Sequence, residues 1–282
     1  MENVVRYLRA TSLEEAWSAM QEGGETARAI GGGVDLALFV PRGVETLVDI
    51  SGLFRDCEDA PDGGLRIGAG LTLTELAEST SAGRYVGGVV ADVLRRVASP
   101  LLRNLATVGG TLASAHPWSD VIPLFIALGA EVDLHAGEAR RMALEDLVLD
   151  RAAMARALIT HVQLPAAATG AKAAFEKFTR TGFDVGMLNC ACYVVLEDGL
   201  CRTARIALGG TPDMARRVRE AEAALLGRAL DDETIAETAE RGAEAAPARD
   251  DQRASAEYRR VLAAAGIRRC LERIAATTGG ES

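Results

Sequence analysis

The chain has 282 residues, 49% of them apolar, enough for a full core and for about two domains at ~150 residues each. Its 40 acidic against 31 basic side chains leave a net charge of −9, the wrong sign for a surface that binds by releasing counterions from phosphate backbones, so nucleic acid is excluded as a main partner. The most nearly apolar stretch, 121 to 132, is interrupted by Pro123, Gly129 and Glu131 and falls short of the ~20 residues of a bilayer span; the N-terminus lacks the marks of a signal peptide, and a cytoplasmic protein without a membrane span is expected. In chain order, Val4 to Tyr7 carry a strand signal, and Ser12 can cap a helix with Glu15 reaching back to it. Leu13, Ala16, Trp17 and Met20 fall on one face of that helix. The runs ARAIGGGVDLALFV, TLVDIS and LRIGAGLTLTEL are bounded by glycines and read as strands with helices laid beside them. Leu124 to Leu134 and Ala157 to Pro165 add apolar elements before the small-residue stretch 166 to 172, which marks a domain boundary: 1–168 and 172–282. Beyond it, strands are expected around Met187–Leu196 and Leu200–Leu208, then helices over Arg216 to Leu226 and Asp232 to Ala246. A last helix runs through Tyr258, Val261 and Leu262, introduced by Asp250, Asp251 and Ser255.

The five cysteines, at 57, 190, 192, 201 and 270, are irregularly spaced and read as free thiols. Cys190, Cys192 and Cys201 could supply three metal ligands, but no fourth is near and no metal site is expected. A two-iron cluster needs four grouped thiolates, so any iron–sulfur chemistry belongs to a partner. The sequence holds no H-E-x-x-H, no G-x-S-x-G and no Walker lysine, and no protein acid, base or nucleophile is nominated. Of the three histidines, His135 and His161 lie in strand-like runs; His116, in SAHPWSD, could be a base, a flavin attachment point or a polar turn residue, the last being preferred. Gly68 and Gly70 do not complete a dinucleotide fingerprint and read as turn residues. Two other glycine clusters, Gly31-Gly32-Gly33 and Gly109-Gly110, follow strand-like runs, and their main-chain N–H groups can face an anion at close approach. Together they suggest a dinucleotide wedged between two loops.

The passage ASPLLRNLATVGGTLASAHPWSDVIPLFIALGAEVDL, with AIGGGVDLALFV before it and FEKFTRTGFDVGMLNCACYVVL, RIALGGTPDMARRVREAEAALLGRALDDETI and DDQRASAEYRRVLAAAGIRRCLE after it, resembles the FAD-binding medium subunit of the molybdenum hydroxylases. That family contains xanthine dehydrogenase and aerobic carbon monoxide dehydrogenase. The resemblance implies an α+β fold: a vanillyl-alcohol-oxidase-type FAD-binding domain of two α/β subdomains, split near 55–65, then a C-terminal α+β domain with a small antiparallel sheet. It places Gly31, Gly32, Gly33, Val34 and Asp35, flanked by Ile30 and Leu36, on the pyrophosphate of a non-covalent FAD, with Thr107, Gly109, Gly110 and Thr111 closing from the other side. Asp120 would accept from the adenosine half, with a helix N-cap as the alternative; Ile159 would pack on the flavin; Lys177 would lie near the isoalloxazine. Val34 and Thr111 depart from the hydroxyl and asparagine usual in the family. The resemblance also implies a large molybdenum-cofactor subunit, a small [2Fe-2S] subunit and an external acceptor, whether NAD, oxygen or a quinone. A stand-alone flavin oxidase and a flavin-free scaffold are the alternatives.

Overall fold

The computed structural model describes residues 4–38 and 42–278, so Phe39 and Val40 of the first glycine-bearing run lie outside the described residues. A three-stranded parallel sheet comes first, built from β1 (Arg6–Arg9), β2 (Ala27–Ile30) and β3 (Thr46–Asp49) in the order β1-β3-β2. The central strand β3 is buried along its whole length. Between β1 and β2 lies α1 (Leu13–Gly23), capped by Ser12, whose hydroxyl accepts from the Glu15 amide. Glu15 reaches back one residue further than expected, to the amide and hydroxyl of Thr11 at 2.7 and 2.8 Å. The run after β2 is not a continuous strand. Three glycines turn the chain, and Val34–Leu38 coil into a short helix, α2.

The second sheet is antiparallel, in the order β4-β5-β8-β6-β7, from β4 (Cys57–Asp59), β5 (Leu65–Gly68), β6 (Glu131–His135), β7 (Ala139–Ala143) and β8 (Leu158–Leu164). Between β5 and β6 the chain makes α3 (Leu73–Glu78), α4 (Thr80–Arg84), α5 (Val89–Leu94), α6 (Pro100–Arg103), α7 (Val108–Ser114) and α8 (Val121–Leu128); α9 (Leu144–Leu147) and α10 (Arg151–Ala155) precede β8. Thr72 and Glu75 form a reciprocal capping box that starts α3 and ends the apolar run begun by β5. Gly68 and Gly70 are more than turn residues: a Cβ there would lie 2.0 Å from the Phe54 carbonyl oxygen and 1.9 Å from that of Leu53, so only glycine lets the end of β5 pass the 53–54 loop.

The third sheet, also antiparallel, runs β12-β11-β10-β9, with β9 (Ala171–Phe178), β10 (Leu188–Glu197), β11 (Leu200–Gly209) and β12 (Arg216–Arg217). Arg216 and Arg217, read from sequence as helical, pair instead with Leu208 and Ala207, and α11 (Arg219–Leu225) begins after them. Glu222 accounts for the shift. Buried on α11, it accepts from both the Arg217 guanidinium at 2.7 Å and the Ile206 amide at 2.9 Å, which fixes the strand beside the helix. With α12 (Asp232–Ala245) and α13 (Ala256–Thr278), α11 covers one face of this sheet. The architecture is α+β, with an antiparallel C-terminal sheet.

All eight residues of α8 are buried, and the reason is its position between layers. One side packs on β10, β11 and β12, the other on α5, α7 and α9. Phe175, Ala191, Tyr193, Val195 and Ala207 of the third sheet therefore share a single core with Leu65, Ile67 and Leu112 of the preceding half. Each large apolar side chain buried there contributes about 1.5–3 kcal/mol. No helix among the described residues is long and apolar enough to cross a membrane.

Candidate functional site

A cavity of about 660 Å³ opens where the first glycine loop, the start of α7, the 116–121 segment and the 183–185 loop converge. Gly31 and Gly32 are pressed onto the chain before α7: a Cβ on Gly31 would lie 2.4 Å from Thr107 Oγ1, and one on Gly32 only 1.5 Å from the Leu105 carbonyl oxygen. Gly33 takes the left-handed conformation (φ +69°), which turns the chain into α2. The first-turn amides of a helix have no acceptor within it. Here, among the described residues, no main-chain group accepts from the amides of Gly32 to Leu36. The residues of this loop line the cavity with their amides unspent on the main chain.

The second loop differs. The amides of Val108 and Gly109 donate to the carbonyls of Leu71 and Ala69 (both 2.8 Å), that of Gly110 to Thr107 Oγ1 (3.1 Å), and that of Thr111 to the Thr107 carbonyl (2.9 Å). The Thr111 hydroxyl bonds the same carbonyl. All four amides are spent inside the fold, so this loop supplies a wall rather than a second set of anion donors.

Also on the wall of the cavity, Asp120 and Lys177 form a 2.6 Å ion pair with side chains only 5% and 13% exposed. Burial pushes the Asp120 carboxyl above the usual carboxylate range, and the Lys177 ammonium draws it partly back. Asp120 occupies the N-cap position of α8 without capping it; Ser119 Oγ instead accepts from the Ile122 amide at 3.3 Å. Asp120 Oδ1 is buried with no hydrogen-bond partner among the described residues, as is Asn189 Oδ1. The direct contact places Asp120 and Lys177 side by side on the wall of the cavity.

Of the residues nominated from sequence, Gly31, Gly32, Gly33, Val34, Asp35, Leu36, Thr107, Gly110, Thr111, Asp120 and Lys177 line this cavity. Gly109 and Ile159 line a smaller adjoining one of about 80 Å³, which shares Gly31, Thr107 and Gly110 with the first. Ile30 lines neither; its side chain packs beneath Gly33. Sequence reasoning missed Arg28, Arg103 and Arg151, which surround the cavity and donate to main-chain carbonyls. Scattered arginines leave no motif to find. Trp118 was available in HPWSD, two residues before Asp120, and lines the cavity with His116.

The cysteine grouping is corrected in its third member. Cys270 on α13, not Cys201, brings its sulfur within 4.8 Å of those of Cys190 and Cys192, all three buried in the apolar core beneath the third sheet. Cys201 lies on β11 and donates to the Thr203 carbonyl.

Unspent amides and three guanidinium groups match a pyrophosphate dianion, Asp120 Oδ1 lacks a donor, and Leu73, Val97 and Leu102 offer apolar walls for rings. The residues fit a flavin dinucleotide. Residues 3–167 match the family model described as the FAD binding domain in molybdopterin dehydrogenase, and 173–274 that of the CO dehydrogenase flavoprotein C-terminal domain. The chain belongs to this family of FAD-binding oxidoreductase flavoproteins. It is 31% identical to the carbon monoxide dehydrogenase medium chain of Afipia carboxidovorans over 95% of each chain. It is 29% identical to the nicotine 6-hydroxylase medium subunit of Paenarthrobacter nicotinovorans, over 97% of this chain and 98% of that one. Among solved structures, carbon monoxide dehydrogenase from Hydrogenophaga pseudoflava superposes with a TM-score of 0.88 at 27% identity, covering 95% of this chain and 96% of that one.

Proposed function

We propose that this chain is the electron-transfer flavoprotein subunit of a cytoplasmic molybdenum hydroxylase-type complex. FAD bound here would link a small [2Fe-2S] subunit, itself served by a large molybdenum-cofactor subunit that oxidises the substrate, to an external acceptor, whether NAD, oxygen or a quinone. Bound flavin supplies the junction between one-electron and two-electron chemistry. The protein's own part is to bind and orient. The amides of Gly32 to Leu36, with Arg28, Arg103 and Arg151 around them, would hold the pyrophosphate, as charge-assisted bonds worth more than neutral ones. Asp120 Oδ1 would accept from a hydroxyl or amine of the cofactor, with Lys177 bonded to the other carboxyl oxygen. The single observation that carries this reading is that the residues whose amides find no main-chain acceptor, Gly32 to Leu36, line one cavity together with Asp120 and Lys177.

A partnered state has support of its own. Leu38, Leu101, Leu105 and Phe183 are 74%, 78%, 56% and 69% exposed, and Phe183 also lines the cavity. A partner subunit seated beside the cavity would cover these apolar side chains. The test is flavin-stripped protein titrated with FAD, followed by acid precipitation, and pull-down from the native host. Stoichiometric binding, release of the flavin by acid, and recovery of an iron–sulfur polypeptide with a large molybdenum-binding one are expected. A chain that never binds FAD, or that turns over an organic substrate alone, would overturn the proposal.

A further inference from the structure

The first loop carries the donors, and α2 after it has no fully buried residue, so its side chains are only partly packed. Asp35, in its first turn, reaches across the cavity to His116, whose Nε2 lies 2.5 Å from Asp35 Oδ1. His116 stacks on Trp118, with ring centroids 4.5 Å apart and planes 11° from parallel. The Arg253 guanidinium lies over the Trp118 ring at 5.7 Å. Arg253 is itself fixed, its amide donating to Asp251 Oδ1 at 2.8 Å and its carbonyl accepting from Arg180 at 2.7 Å. Asp251 is held in turn by Arg259, which is wholly buried. A continuous chain of contacts thus runs from the donor loop to the C-terminal half.

We infer that Asp35, His116, Trp118 and Arg253 form a brace that holds the first glycine loop in register for FAD, making His116 and Trp118 positioning residues for the cofactor. The inference rests on the FAD reading above. It gives His116 a role apart from base, flavin attachment point and simple turn residue. A flavin pyrophosphate needs several amides aligned at once, and a loop free to tilt loses them together. The brace also separates this site from a bare glycine cradle, because its far end lies in the other half of the chain.

The chain has only two tryptophans, and Trp17 packs edge-on against His135 outside the cavity, so Trp17→Phe leaves Trp118 as the sole indole reporter. In that background, FAD affinity is measured by equilibrium dialysis, Trp118 emission is followed on titration, and thermal melts are recorded without flavin. His116→Ala and Asp35→Ala should each weaken FAD binding about tenfold, and the double variant should be no weaker than the worse single one, as for two groups acting through each other. His116→Gln, which keeps an N–H near Nε2, should recover most of the affinity. Trp118 emission should change on FAD binding in the parent and change less in His116→Ala. The flavin-free melting temperature should hardly move. Parent-like affinity in His116→Ala, additive losses in the double variant, or losses matched by a fall in melting temperature without rescue by glutamine would overturn the brace while leaving FAD binding intact. Failure of the Trp17→Phe parent itself to bind FAD would overturn the underlying reading and the brace with it.

Discussion

Lys177 sits on β9 opposite Asn189 of β10, and its ammonium is the charge that makes a buried Asp120 tolerable. Removing one partner of a buried pair costs about 3–5 kcal/mol, because the other charge stays behind uncompensated. Lys177→Met should therefore destabilise strongly at neutral pH. The sign of the pH effect follows from Asp120, whose folded pKa is raised by burial and loses its main opposing influence in this variant. Stability of Lys177→Met should fall as pH rises through that raised value and partly return in acid, where the carboxyl is protonated. Adding Asp120→Asn should restore much of the loss. Urea melts at pH 7 and pH 5 check this, and a Lys177→Met protein as stable as its parent at both would count against it. Without the family resemblance Lys177 reads as a solvated surface charge, since a lysine in a strand looks the same whether water or a carboxylate faces it.

At the scale of single elements, the glycine loops were legible as close-approach positions but not for the whole of their reason. Gly32 is needed first by the protein itself: a Cβ would strike the Leu105 carbonyl, a main-chain atom far along the sequence that cannot swing aside like a side chain. Gly32→Ala should part the two loops and abolish FAD binding. Gly83, inside α4 with open space around its Cβ position and no left-handed φ, is the contrast. Gly83→Ala should leave binding unchanged and stabilise by about 0.4–1 kcal/mol. FAD titrations and thermal melts on both variants test the pair, and normal binding by Gly32→Ala would show that the loops do not depend on this contact. The spending of the second loop's amides on Ala69, Leu71 and Thr107 was invisible in sequence, because loop amides carry no residue signature.

For the whole molecule, the 166–172 stretch reads in the sequence as a change in character; the first family model ends at residue 167 and the second begins at 173. What lay beyond the sequence was the partner of α8. A helix apolar on every side must be buried, but its composition does not say between which layers. Because α8 fills the space between the two halves, cleavage of the chain should not separate them. A protease nick within 166–169 should give two fragments that elute together in native gel filtration and unfold in one transition. Separation in native buffer would show that each half keeps its own core.

The seam described by α8 also limits how such a protein can be inherited. Its face toward β10 and β11, and the Asp120–Lys177 pair beside it, join residues that lie in different family domains. A chimera taking residues 1–168 from this chain keeps both contacts only where the remainder brings an apolar face that fits α8 and a cation at the position of Lys177. α8, β9 and β10 thus form one set in this fold, and a change on one side of the seam calls for a matching change on the other.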